Sequence, residues 1–137
     1  MKKIVLLVLT LTLLAGCQNS AAEPTKPVIQ PTWLENVTIQ ISDITTTGAT
    51  ILITDKNPEP YVYGEWYKIQ KKTDTGWVDL TPVIDNYGFV EIGYLPNDNG
   101  EVKFTINWQW HYGELPAGIY RIFKQVNLQE IAIEFVI

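Results

Sequence analysis

The chain has 137 residues, 46% of them hydrophobic and 18% charged, and its 15 acidic against 10 basic residues give a net charge of −5. An acidic balance disfavours nucleic acid and anionic membrane surfaces as direct partners. A single cysteine excludes an internal disulfide, and a single histidine, His111, leaves a zinc site without its usual three or four nitrogen and sulfur donors.

Lys2 and Lys3 open the chain with positive charge, and Ile4 to Leu14 is an apolar run of 11 residues. A bilayer-spanning helix needs roughly 20 apolar residues, so the run fits the hydrophobic region of a secretory signal instead. Leu14-Ala15-Gly16-Cys17 follows, with small residues in front of the cysteine. This resembles the lipobox of bacterial lipoproteins. The resemblance implies a signal peptide over residues 1–16, a diacylglyceryl group on the Cys17 sulfur, and a lipid-anchored position on the extracytoplasmic face of the cell membrane. A cysteine suits the role because its thiolate is the strongest side-chain nucleophile, and two acyl chains give stable anchoring. Removing Lys2 and Lys3 leaves eight basic residues against 15 acidic ones, a net charge of −7. Residues 17–34 contain three prolines and no apolar periodicity, and are expected to form a flexible tether. Residues 35–137 then make one domain of common size, held by its core alone.

Alternation with a period of two runs through that domain. Val37, Ile39 and Ile41 alternate with Thr38, Gln40 and Ser42, which predicts a half-buried strand. A turn at Gly48 leads to a strand over Ala49–Thr54, with Ile51 and Ile53 on one face. Asn57-Pro58-Glu59-Pro60 stops pairing, because proline donates no hydrogen bond. A third strand is expected over Tyr63–Lys72, and a turn at Asp74-Thr75-Gly76 leads to a fourth over residues 77–83. Glycines 88, 93 and 100 and Pro96 break residues 83–100 into irregular structure. The longest alternation places Val102, Phe104, Ile106, Trp108 and Trp110 on one face, and a helix would scatter them. Tyr120, Ile122 and Val126 share a face that Lys124 interrupts. Ile131, Ile133, Phe135 and Ile137 point inward from the last strand. Seven strands in about 100 residues with frequent turns predict an all-β, two-sheet antiparallel sandwich.

Chemistry-bearing constellations are sparse. His111 reads as structural or surface. The serines, Ser20 and Ser42, lie in the tether and in a strand, away from any base. Residues 97–101, "NDNGE", are oxygen-rich but lack EF-hand spacing, and Asn-Gly signals a tight turn. Nothing brings Asp79 to Asp85, or Glu59 to Glu65, for acid–base work. The glycosylation sequon at 36–38 has no bearing in a bacterial lipoprotein. Five tryptophans and seven tyrosines remain. Trp108 and Trp110 belong to the apolar face, whereas Trp66, Trp77, Tyr87 and Tyr94 fall where exposure would make a binding surface. If Tyr67 and Ile69 face the core, Trp66 faces out.

The stretch "ELPAGIYRI" resembles the tyrosine corner of immunoglobulin-like sandwiches, in which the phenol matching Tyr120 bonds back to backbone near Leu115 or Pro116. Ile122 stands where antibody domains keep their second bridging cysteine, and Ile51 or Ile53 could stand for the first. "TTGATILI", "YGEWYKIQKKTDTGW", "INWQWHYGELPAGIYRI" and the closing "EFVI" together resemble the bacterial immunoglobulin-like domain family found in Gram-positive lipoproteins, over residues 35–137. The resemblance implies an immunoglobulin-like sandwich of about seven strands without a disulfide. It carries no catalytic residue, metal or cofactor. The expected function is a non-catalytic interaction domain held on the membrane by its lipid, with an envelope protein as partner. The alternative is binding of carbohydrate or cell-wall glycan through exposed aromatics.

Overall fold

The computed structural model describes residues 26–137. The segment expected to be a signal peptide and Cys17 lie outside the described residues. Nine strands form two antiparallel sheets. One sheet has the order β1-β2-β3-β7, from Val28–Pro31, Val37–Ser42, Gly48–Asp55 and Glu101–Asn107. The other has the order β5-β4-β8-β9, from Gly76–Asp79, Tyr63–Thr73, Ile119–Val126 and Gln129–Val136. The two-residue β6, Gly93–Tyr94, pairs with the start of β4.

The alternation seen in the sequence becomes the inter-sheet core. Ile39, Ile41, Ile51 and Ile53 from the first sheet meet Tyr67, Ile69, Ile122 and Ile133 from the second, and all are buried. Each such side chain contributes about 1.5–3 kcal/mol by leaving water. Ile51, Ile53 and Ile122, the positions compared with the bridging cysteines of antibody domains, are all fully buried aliphatic side chains of the core. Gly48 is required at the head of β3, because a Cβ there would collide with the Ile106 carbonyl oxygen of the neighbouring strand.

Trp108 closes one end of this core. Its indole is fully buried, stands 5.5 Å from the Phe135 ring, and donates to the Thr46 carbonyl at 2.9 Å. Tyr120 stacks on the same Phe135 at 5.6 Å, and its hydroxyl donates to the Pro116 carbonyl at 2.6 Å. Pro116 is exposed, so its carbonyl can turn to water, and Tyr120→Phe is expected to lower stability by about 0.5–1.5 kcal/mol, the net worth of one hydrogen bond. Thermal denaturation of both forms checks this; equal midpoints would contradict it.

Three expectations are corrected. Residues 28–31, read as tether, form β1, which pairs with β2 from Val28↔Ile41 to Pro31↔Thr38. All four of its residues are exposed. An edge strand held by backbone bonds alone needs no apolar alternation, so none announces it. The fourth strand stops at Asp79, and residues 83–100 contain the short β6. Trp110 does not share the face of Trp108. The strand ends at Asn107, whose side-chain oxygen accepts the Gln109 N–H at 3.0 Å and turns the chain into a one-turn helix, α1 (Gln109–Tyr112). Lys124 interrupts the apolar face of β8 as its sequence position implies, and stays on that inward face. It is fully buried between Tyr120, Ile122 and Val126 positions of β8.

Candidate functional site

A groove with an aromatic wall lies along the start of β4. The pairing of β4 with β8 slips between Tyr63↔Val126 and Tyr67↔Lys124, so four steps on β4 match two on β8. This bulge turns the Glu65 carbonyl toward the interior, where the Lys124 ammonium donates to it at 2.9 Å. That ammonium also sits 3.8 Å from the centre of the Phe104 ring. Burial pushes the Lys124 pKa down to about 8, against the pull of the Glu65 charge. A lysine enclosed this way is tolerated only because carbonyl and ring both face it.

With Tyr67 and Ile69 turned to the core, Trp66 faces outward and is half-buried. It lines a groove of about 580 Å³ whose far wall is the segment from Gly88 to Gly93. Val62, Phe89, Val90 and Ile92 make that groove largely apolar, and Glu65 and Glu91 set carboxylates at its sides. Val62, Val90 and Ile92 are exposed.

The wall is held by two sets of contacts. Tyr94 lies edge-on to Phe104 at 5.7 Å, and its hydroxyl donates to the Glu65 carboxylate at 2.6 Å. That bond raises the phenol's pKa. Further along, Tyr87 and Phe89 pack around His111, with ring centres 4.4 and 5.1 Å from it. Tyr67 hydroxyl and His111 Nδ1 share a hydrogen bond of 2.5 Å. Burial lowers the His111 pKa, so the ring is neutral at pH 7. Burial pushes the Tyr112 phenol, which packs edge-on to His111, up to about 12.

The four aromatics singled out in the sequence are thus dispersed. Trp66 faces the groove, Tyr94 fixes one of its carboxylates, and Tyr87 pins the loop. Trp77 stands apart on β5 with its face covered by the Arg121 guanidinium, 4.4 Å from the ring centre. All four are half-buried. Phe89, Val90 and Ile92 escaped sequence reasoning. Their only signal is an apolar cluster between Gly88 and Gly93, inside a stretch rich in breakers. The "NDNGE" stretch closes as a turn: Asn97 accepts the N–H groups of Asn99 and Glu101, both at 3.0 Å, and Gly100 takes φ 76°.

A family model described as a bacterial Ig-like domain matches residues 34–136. No curated protein and no solved structure matches the chain.

Proposed function

Because this chain belongs to the bacterial Ig-like domain family, we propose that it is an extracytoplasmic lipoprotein, anchored through a diacylglyceryl group on Cys17, whose domain binds an envelope protein at the β4 groove. The observation that carries this reading is the groove itself: one outward tryptophan faces an exposed apolar wall that long-range contacts hold in place. Exposed apolar surface with a polar rim is what a partner covers. Tryptophan is the residue most enriched among those that dominate binding energy. The two carboxylates at the sides suit a segment carrying basic residues.

A glycan is the weaker alternative. Sugar rings stack on aromatic faces gathered into a platform, whereas Trp77 is covered by Arg121 and Tyr87 and Tyr94 are engaged in packing.

Trp66→Ala is expected to weaken capture of the envelope partner by roughly thirtyfold, equivalent to about 2 kcal/mol. Trp77→Ala is expected to leave capture unchanged. Pull-down and titration with envelope extracts check both, with thermal midpoints confirming that each variant is folded. Equal binding by Trp66→Ala and the natural chain would remove the groove from the reading. Sedimentation with purified peptidoglycan tests the alternative.

A further inference from the structure

The polypeptide enters the sandwich at one end, and that end carries an uncovered tryptophan. Val28, where β1 begins, is paired with Ile41 beside the last residue of β2. Gly48, where β3 begins, is paired with Asn107, the last residue of β7, and α1 follows at once. The start of β1 and α1 therefore lie at the same end, three strand spacings or about 15 Å apart across the sheet, with the end of β7 three residues, about 10 Å, further along the strand direction. Trp110 in α1 is 73% exposed, and the first turn of α1 carries no acidic residue. Val83, also exposed, donates its N–H to the His111 carbonyl at 2.7 Å and so lies beside α1. The exposed pair Ile119 and Val136 completes this apolar end on the second sheet.

We propose that this end rests against the membrane that holds Cys17, with Trp110 seated at the boundary between headgroups and acyl chains. The proposal rests on the lipid anchor of the preceding reading. Eleven residue steps separate Cys17 from Val28, a reach of at most about 40 Å when fully extended. A leash this short holds the Trp110 end near the bilayer at an effective concentration on the order of millimolar, so one amphipathic indole is enough to orient the domain. Indoles settle at this depth because one part is apolar and the N–H stays wet. Asp43, Asp74 and Glu114 are exposed at the same end, so the contact is with neutral rather than anionic lipid. The opposite end supplies a control: Trp33, 63% exposed, donates to the Glu130 carbonyl at 2.8 Å, where β9 begins.

The test uses the mature chain purified from membranes, with acylation of Cys17 read from the mass of its N-terminal peptide. It is reconstituted into phosphatidylcholine vesicles whose acyl chains carry bromine, a short-range quencher of indole emission. Natural chain and Trp33→Phe are expected to be quenched alike. Trp110→Phe, which keeps an apolar ring but removes the emitter, is expected to lose the greater part of that quenching. Equal quenching in Trp110→Phe and the natural chain overturns the docking and leaves the anchor standing. An unacylated Cys17 overturns both.

Discussion

Trp108→Ala is expected to lower the unfolding free energy by about 3–5 kcal/mol, the range for truncating a large buried aromatic. In a domain of about 100 residues this amounts to a fall in melting temperature of roughly 15 °C or more. The loss has two parts. The cavity opens against Phe135, and the Thr46 carbonyl loses its indole donor. Trp110→Ala, two residues on, is expected to stay within about 0.5 kcal/mol of the natural chain, as exposed positions do. Chemical denaturation of both variants checks the contrast. Equal losses would place both indoles in the core and return the strand to its full length.

Asp55→Ala is expected to cost roughly 3–5 kcal/mol, because the carboxylate organises the passage from the first sheet to the second. It is 2% exposed. It accepts the N–H of Asn57 at 2.9 Å, the Asn57 amide at 2.8 Å, the N–H of Tyr61 at 2.8 Å and the Tyr63 hydroxyl at 2.8 Å. Deleting it strands several donors, one of them on the fully buried Tyr63, and each unsatisfied donor costs about 1–3 kcal/mol. Burial alone would raise the Asp55 pKa, but the bonds from Asn57, Tyr61 and Tyr63 outweigh it and hold the pKa below the usual carboxylate value. The sign follows. A depressed folded pKa contributes stability above the unfolded value of about 3.9 and loses it as pH falls through the folded value. Natural protein should therefore lose stability on acidification below about pH 4 more steeply than Asp55→Asn. Denaturant midpoints measured from pH 7 to pH 2 check this; parallel acid limbs would contradict it.

Strands that bury one face were legible in the sequence. β2, β3, β7 and β9 alternate because water lies on one side and the other sheet on the opposite side. β1 and β6 were not legible, since one is exposed throughout and the other is two residues long. The alternation through Trp110 misled for a different reason. A bond from the Gln109 N–H to the Asn107 side chain ends the strand, and hydropathy does not register such local competition with the backbone. Lys124 looked like a break in the pattern because its partners, the Glu65 carbonyl and the Phe104 ring, come from other strands. The groove was half legible. Trp66 could be assigned outward by opposition to Tyr67, but its far wall is set by Tyr94 on Glu65 and by the packing around His111, contacts distant in sequence.

Joining the two sheets through a core of aliphatic and aromatic side chains, with no disulfide, frees folding from the thiol–disulfide balance of its surroundings. The domain matures without a thiol oxidase and does not open under reductive stress. With no second thiol in the sequence, Cys17 has no internal partner with which to mispair.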